Sequence, residues 1–171
     1  MLRPIDEADA ALMLSLRQRP DLTEFLPPLD ITLDEQRAWV RRQMTRPDDY
    51  MFAIQPLDRD TPIGFFAAYN PVGDGEMEWG RWVMGESSPV LLESVLLLHR
   101  FIFETLDMKR LFSHTAEGNI RVLTFHEIYG ARRCGLHPAA LQIGDRRHGM
   151  VEHEILRPDW DRIRQKYARF L

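Results

Sequence analysis

Hydrophobic and polar positions are most regular in the central segment, residues 76–130. Residues 76–83 (EMEWGRWV) alternate as a half-buried strand does. The alternation predicts two faces: Glu76, Glu78 and Trp82 on one, and Met77, Trp79, Arg81 and Val83 on the other. Residues 85–89 (GESSP) interrupt the strand, and Ser88 and Pro89 suit the N-cap and first position of a helix over residues 90–106. The expected apolar face of that helix is Leu91, Val95, Leu98 and Ile102, at spacings of three and four.

A second strand, residues 109–115, and a second helix, residues 120–129, complete this segment. A strand–helix–strand unit of this length forms a right-handed parallel crossover, which places the start of its helix at the carboxyl edge of the sheet. Helix N-termini in that position attract anions through their free amides and dipole. The pattern therefore predicts an anion site just after Ser88.

The remaining elements surround this unit. Helices are predicted over residues 7–17 and 32–44, the second opened by a capping box of Thr32 and Glu35. Their expected buried positions are Ala8, Leu12 and Leu16 in the first, and Leu33, Val40 and Met44 in the second. Strands are predicted at residues 50–55 and 61–69, a hairpin at 136–143 and 149–156, and a last helix at 159–170. The result is one α+β domain over residues 1–171, with helices on both faces of a mixed sheet.

Composition narrows the class of protein. The chain has 171 residues and a formal net charge of −4, which argues against nucleic-acid binding. Cys134, the single cysteine, excludes an internal disulfide and a cysteine-based metal site. The histidines at 137, 148 and 153 are too scattered to predict a metal site. No apolar run reaches membrane-spanning length and the N-terminus is charged, so we expect a soluble cytoplasmic protein without a membrane partner.

Five strings, taken in order, carry a family resemblance: residues 2–9 (LRPIDEAD), 62–65 (PIGF), 78–80 (EWG), 103–111 (FETLDMKRL) and 119–130, with Asn119 and FHEIYG. Together they resemble the RimJ/RimL-like branch of the GNAT superfamily of acyl-CoA N-acyltransferases, over nearly the whole chain. The resemblance implies the GNAT fold, with a mostly antiparallel sheet of about six or seven strands. It also implies acetyl-CoA as acyl donor and a small-molecule amine as acceptor, and it allows a homodimer.

Within that branch, His126 and the hairpin turn at residues 144–148 resemble the sugar-nucleotide acetyltransferases of pseudaminic acid synthesis (PseH-like). This finer resemblance implies a nucleotide-linked amino sugar as acceptor. Two alternatives stay open. One is acetylation of protein N-termini, as in the RimJ/RimL proteins. The other is a GNAT-fold binding or regulatory protein whose cofactor loop is degenerate.

The cofactor loop departs from the family pattern. The family's pyrophosphate loop usually reads Gln/Arg-x-x-Gly-x-Gly/Ala, and residues 86–91 read ESSPVL here. Glycines at these positions would allow close approach of the backbone to phosphate, and they are missing here. Pro89 has no backbone N–H to donate, and the negative charge of Glu86 would repel the diphosphate. By resemblance, the cofactor is expected at Trp82, Val83, Met84, Ser87, Ser88, Val90, Leu91, Asn119 and Phe125.

Acetyl transfer to an amine needs a base, a stabilised carbonyl oxygen and a proton for the leaving thiolate. The resemblance implies Glu78, or its neighbour Glu76 on the same face, as the base, acting directly or through water. Flanking by Trp79 and Trp82 would favour the protonated form of Glu78.

His126 occupies the position at which many relatives carry a tyrosine that acts as general acid on the leaving thiolate. By resemblance, His126 is the expected general acid, and Tyr129 is the alternative. By resemblance, Asn119 bonds the pantetheine arm, and His114 and Ser113 could face the acceptor. The mouth is expected to include Phe25, Leu26, Trp39, Tyr69, Asn70, Trp79 and Trp82.

Structural alternatives exist for each of these roles. Glu78 could be a strand-edge charge paired with an arginine, and His126 a helix histidine bonded to backbone. Asn119 could serve as the N-cap of the helix that follows it. Arg81, predicted to point away from Glu78, is interpreted as structural.

Overall fold

The computed structural model describes residues 1–171. Its strands are β1 (Leu2–Pro4), β2 (Tyr50–Ile54), β3 (Gly64–Val72), β4 (Glu76–Met84), β5 (Arg110–Ala116), β6 (Arg132–Ile143) and β7 (Arg146–Leu156). Its helices are α1 (Ala10–Arg17), α2 (Pro20–Thr23), α3 (Leu33–Met44), α4 (Val90–Arg100), α5 (Ile120–Tyr129) and α6 (Arg157–Lys166). The strands form one sheet in the order β1-β2-β3-β4-β5-β7-β6. This confirms the predicted α+β fold with a mixed, mostly antiparallel sheet.

The single parallel pair is β4 with β5, and it is short. Glu76 to Glu78 pair with Arg110 to Phe112, and beyond them the two strands separate. The parallel crossover is therefore confirmed. The carboxyl half of β4 retains its partner β3 on one side only, so a gap opens between β4 and β5.

Two apolar clusters sit on the two faces of the sheet. Neighbouring residues of β3 divide between them: Phe66 packs with α4 and α6, whereas Phe65 packs with α1 and α3. The predicted apolar face of the central helix is confirmed at Val95, Leu98 and Ile102, which are fully buried, whereas Leu91 is only half-buried. Each such side chain contributes about 1.5–3 kcal/mol through burial. Helices on both faces therefore fix the position of β4.

A β-bulge interrupts β4. Phe65 pairs with Val83 but Ala67 pairs with Gly80, so β4 holds one more residue than β3 over this interval. Arg81 within the bulge has a φ of 50°, a conformation that is rare for a non-glycine residue. An inserted residue reverses the facing of every side chain after it.

The bulge overturns three predicted facings, those of Arg81, Trp82 and Val83; Val83 packs with Phe65, on the opposite face of the sheet from Trp79. Trp82 does not share the face of Glu78: its ring packs against Trp79, with ring centroids 5.6 Å apart. Arg81 in turn does not point away from Glu78. Its guanidinium lies 4.2 Å from the ring centre of Tyr69, whose hydroxyl contacts Glu78. Alternation predicted the first half of the strand correctly and failed after the extra residue.

Helix boundaries follow the sequence signals closely. The capping box of α3 is confirmed, with Thr32 and Glu35 each accepting the other's backbone amide. Ala8 and Met44 were wrongly expected to be buried. Ala8 belongs to a short 3-10 turn ahead of α1, and Met44 is 54% exposed at the end of α3. None of the helices has both the length and the apolar character needed to cross a membrane.

Candidate functional site

A cavity of about 160 Å³ occupies the gap between β4 and β5. Its walls come from Gly80 and Trp82 on β4, His114 on β5, and Asn119 and His126 on α5. Phe25 and Leu26, from the segment after α2, and Leu141 and Met150, from the β6–β7 hairpin, form its rim. Of the residues expected at the cofactor, Trp82 and Asn119 line this cavity. The others are not part of its lining: Val83, Met84, Ser87, Ser88, Val90, Leu91 and Phe125.

Glu78 lies in a polar setting beside this cavity. Its Oε1 is 3.2 Å from His114 Nδ1 and 3.3 Å from the Tyr69 hydroxyl, which donates to it. Its Oε2 accepts a hydrogen bond of 3.0 Å from Asn70 Nδ2. The expected flanking of Glu78 by Trp79 and Trp82 is wrong, because the bulge turns Trp82 to the other face. The carboxylate is held by hydrogen-bond partners instead.

Tyr69 stays protonated in this arrangement. Burial, reinforced by the charge of Glu78, raises the pKa of the Tyr69 hydroxyl far above its ordinary value. The hydroxyl can therefore only donate to the Glu78 carboxylate, and it holds that carboxylate in place.

Glu76 has a different environment from Glu78. Its Oε2 accepts a hydrogen bond of 2.7 Å from Arg110 Nη1. Arg110 also donates to Glu152 and Glu154, so Glu76 ends a chain of ion pairs along the sheet. The account of a strand-edge carboxylate paired with an arginine therefore describes Glu76. Glu76 and Glu78 lie on the same face of β4 but differ in their partners: an arginine pairs with Glu76, whereas Glu78 has none.

His126 is buried in the wall of the cavity. It is 3% exposed, its Nε2 lies 3.5 Å from Ser113 Oγ, and its ring stacks on His153 with centroids 5.0 Å apart. Burial, together with the proximity of His153, lowers the pKa of His126 from 6.5 to about 3. The imidazole is consequently neutral near pH 7. A neutral ring carries no second proton to release, but one ring N–H can still donate a hydrogen bond.

Tyr129 is not brought to the cavity. It is 2% exposed and packs in the core against His99, Phe125 and Tyr167. Its hydroxyl has no hydrogen-bond partner, and burial raises the pKa of Tyr129 well above 10. The predicted reserve acid is therefore a core residue, one helical turn beyond the position that faces the cavity.

Two polar groups of the cavity wall have unused donors. The Trp82 indole N–H is buried without an acceptor, and its ring packs on Phe125 at 5.1 Å between centroids. Asn119 Oδ1 accepts from the amide of Val122 at 3.3 Å, which confirms its N-cap role and leaves its Nδ2 available. An unsatisfied buried donor costs about 1–3 kcal/mol. A ligand with amide carbonyls, such as pantetheine, fits these donors.

The loop before α4 is less suited to an anion. The N-cap of α4 is Pro89, one residue later than the predicted Ser88. Ser88 Oγ accepts a hydrogen bond of 3.3 Å from the Val90 amide. The Leu91 amide donates to the Ser88 carbonyl at 3.1 Å. Two of the amides expected at the diphosphate are thus already engaged, while Ser87 is exposed.

Two arginines that sequence reasoning missed partly offset the loop's charge. Arg59 Nη1 lies 3.1 Å from Glu86, and Arg19 Nη1 donates to the Gly85 carbonyl at 2.8 Å. Both come from segments distant in sequence. Only the folded arrangement shows that the carboxylate expected to repel an anion is paired.

A second cavity, of about 340 Å³, adjoins the first. It lies between α1, α3 and the sheet, and its lining is largely apolar, with Trp39 and Phe65 among the residues. Leu26 and Arg81 line both cavities. Leu26 and Trp39, expected from the sequence at the mouth of the site, line it, but the cavity itself was not predicted because its walls come from six separate segments.

Residues 1–132 match the family model described as an acetyltransferase (GNAT) domain. No curated protein matches the chain. Among solved structures, FdhC, described as a nucleotide-linked sugar GNAT, has a TM-score of 0.83 at 24% identity over 99% of this chain and 93% of its own. A spermidine N-acetyltransferase from Vibrio cholerae, solved with CoA and spermine, has a TM-score of 0.83 at 14% identity over 94% and 96%.

A GCN5-related N-acetyltransferase from Brucella melitensis is similar at a TM-score of 0.82 and 19% identity, over 98% of this chain and 80% of its own. These likenesses support the fold. They leave the roles of individual side chains to the geometry described above.

Proposed function

The chain belongs to the GNAT acetyltransferase family and is an enzyme of that type, and from this premise we propose that it transfers acetyl from acetyl-CoA to the primary amine of a nucleotide-linked amino sugar. The observation that carries the proposal is the separation of β4 from β5 after Glu78. It leaves one cavity lined by His114, which contacts the Glu78 carboxylate, and by Trp82, whose indole N–H has no partner.

The residues of this gap fit the pantetheine arm of acetyl-CoA. Trp82 Nε1 and Asn119 Nδ2 are donors for its amide carbonyls, and the edge of β4 at Val83 and Met84 is free of a strand on the β5 side. Phe125 packs against the Trp82 ring and supports the indole from behind. The diphosphate would lie near residues 87–91, where fewer free amides imply weaker binding than a glycine loop gives.

When bound, acetyl-CoA supplies a thioester carbonyl as the electrophile. Glu78 acts as the base, because an aliphatic amine arrives as an ammonium ion at neutral pH and must lose a proton before it attacks. Hydrogen bonds from Tyr69 and Asn70 fix the carboxylate at the cavity. The proton passes from the amine to Glu78, directly or through one water.

His126 assists departure of the thiolate. As the new C–N bond forms and the C–S bond breaks, negative charge collects on sulfur, and His126 donates a hydrogen bond to it from a ring N–H. The acylated nitrogen loses its second proton, which reaches the thiolate through water, so that the products are the amide and the CoA thiol. The ring is buried, so this hydrogen bond is stronger than it would be in water. Backbone amides of β4 on the open edge would stabilise the carbonyl oxygen.

Charge around the cavity supports a nucleotide-linked amino sugar. Glu78 offers a negative group for the amine, and the β6–β7 turn beyond the rim residues Leu141 and Met150 presents two exposed cations, Arg146 and Arg147. Arginine binds diphosphates through charge-assisted hydrogen bonds. FdhC, similar in fold, carries a description that names the same class of acceptor.

A polyamine is a second candidate acceptor, favoured by one observation. Four carboxylates, those of Glu76, Glu78, Glu152 and Glu154, share the open face beside the cavity with only two guanidiniums. Excess negative charge attracts a cationic acceptor. The Vibrio cholerae structure is described as holding spermine. Protein N-termini, the RimJ/RimL-like alternative, have no such observation in their favour.

Two measurements test the proposal. Acetyl-CoA should raise the melting temperature progressively with concentration, because it binds only the folded state. An acceptor panel of amino-sugar nucleotides, spermidine and a peptide with a free N-terminus then identifies the substrate class. The double variant Arg146→Ala/Arg147→Ala should raise KM for the nucleotide sugar at least about 10-fold and leave KM for spermidine unchanged.

The outcomes are distinct. Absence of a thermal shift at millimolar acetyl-CoA contradicts cofactor binding and favours the degenerate binding protein. Turnover of spermidine alone replaces the sugar by the polyamine, and turnover of the peptide alone supports N-terminal acetylation.

A further inference from the structure

We propose that His114, His137 and Glu152 form a binding site for a divalent transition metal, with Zn²⁺ as the best-suited ion. The three side chains come from β5, β6 and β7, and one potential ligand atom of each lies within 4.8 Å of the others. His114 and Glu152 are direct cross-strand partners, and His137 pairs with Met150, two residues before Glu152. The pairing of three strands therefore assembles the site on rigid backbone.

The distances suit tetrahedral coordination. Glu152 Oε2 is 2.8 Å from His137 Nε2 and 3.8 Å from His114 Nε2. A tetrahedral zinc with bonds of about 2.0–2.1 Å separates its ligand atoms by about 3.3 Å, between these two values. The His137 side chain is 49% exposed, so it can adjust to close the site at small cost. A nitrogen-and-oxygen set of this kind is typical of zinc.

The surrounding hydrogen bonds orient two of the ligands. His114 uses Nδ1 to contact Glu78 Oε1 at 3.2 Å, which leaves Nε2 free for a metal. Glu152 uses Oε1 to accept from Arg110 Nη2, which leaves Oε2 free. Metal-binding histidines usually donate their second N–H to a carboxylate, as His114 does here. The outer contacts are thus already those of a metal site.

The local charge favours a dication. The carboxylates of Glu76, Glu78, Glu152 and Glu154 face the guanidiniums of Arg110 and Arg132 alone. Four carboxylates against two guanidiniums leave a formal excess of two negative charges. A bound divalent ion removes that excess, and three protein ligands leave it at least one open coordination position for water or an anionic oxygen. This site does not depend on the acetyl-transfer proposal.

Calorimetric titration of the chelator-treated protein with Zn²⁺ tests the site, with visible absorption of bound Co²⁺ as a report on tetrahedral geometry. We expect one ion per chain. His137→Ala and Glu152→Gln should each weaken binding at least about 10-fold, and Glu78→Gln, which removes an outer contact, about 10-fold. His148→Ala removes a histidine from the same hairpin but outside the cluster, and should leave affinity unchanged.

Circular dichroism of each variant checks that it is folded, and the half-exposed His137 makes His137→Ala the safest of them. The proposal is overturned if the wild-type protein takes up no ion. It is equally overturned if folded His137→Ala and Glu152→Gln bind Zn²⁺ as tightly as the wild type.

Discussion

His114 Nδ1 lies 3.2 Å from Glu78 Oε1, and this contact bridges β5 and β4 just past the last residue pair that their backbones share. The bridge holds Glu78 at the edge of the cavity while the strands separate around it. A carboxylate placed in this way can reach a group inside the gap without moving the backbone. The position of the proposed base therefore follows from the position where the sheet opens.

Glu78→Gln should lower kcat by at least about 10²-fold, because an amide cannot take the amine proton, and general base catalysis contributes about 10²–10⁴-fold. The dissociation constant of acetyl-CoA should not change, since Glu78 lies outside the proposed pantetheine wall. Steady-state kinetics with the best acceptor, alongside calorimetry with the cofactor, separates the two effects. Glu76→Gln is the matched control and should keep near wild-type turnover, because Glu76 pairs with Arg110. An unchanged rate in Glu78→Gln would remove Glu78 from the mechanism.

His126→Phe should lower kcat by about 10–100-fold through loss of a hydrogen bond to an anionic sulfur, worth about 1.5–3 kcal/mol. His126→Tyr should recover much of this loss, because a phenol hydroxyl can donate from the same helix position. With a pKa of about 3, His126 stays neutral between about pH 5 and 8. The pH–rate profile in that interval should therefore have the same shape in His126→Phe as in the wild type. Equal activity of the Phe and Tyr variants would contradict the role.

Arg81 variants separate charge from backbone conformation. Arg81 Nη1 donates to both carboxylate oxygens of Asp49, at 2.8 and 2.9 Å, and the Asp49 side chain is 3% exposed. Arg81→Ala should destabilise the protein by about 3 kcal/mol, because it leaves a buried charge with only Arg46 nearby at 3.7 Å. Arg81→Gly should cost about 1 kcal/mol less, since glycine accepts the positive φ freely. Urea denaturation measures both, and a greater loss in Arg81→Gly would show that the φ carries no strain.

His99→Leu tests an acid-sensitive element of the core. His99 is fully buried, both of its ring nitrogens lack partners, and burial lowers the pKa of His99 from 6.5 to about 3. The neutral ring is favoured in the folded state, so its stabilising effect is complete above pH 6.5 and is lost as pH falls toward 3. His99→Leu should flatten this pH dependence and raise the free energy of unfolding at pH 7 by about 1 kcal/mol.

Denaturation series at several pH values provide the measurement for His99→Leu. His148→Ala is a suitable control, because His148 is not part of the core clusters and should leave the acid slope unchanged. A steeper acid slope in His99→Leu would contradict the assignment.

Local signals predicted the elements well. The capping box at Thr32, the helix after Asn119 and the apolar face of α4 depend on residues close in sequence, and all three are present in the structure. The parallel crossover followed from the length of the connection alone. These features need no knowledge of which strand lies beside which.

The site was less predictable because it depends on register and on distant contacts. No local feature announces the extra residue at Arg81, which exchanged the faces of Arg81 and Trp82. The grouping of His114, His137 and Glu152 required the pairing of three strands. His126 is neutral because it is buried, and the periodicity of the helix did not predict the extent of that burial.

The bulge in β4 also limits how this protein can vary. Residues on either side of Arg81 can be exchanged one for one, because each keeps its facing. Gain or loss of a single position there would invert the parity of the segment that follows, turning Trp82 away from the apolar cluster around Phe66 and Val83 away from the cluster around Phe65. Natural and laboratory variants should therefore show substitutions along this strand but no insertions or deletions around the bulge.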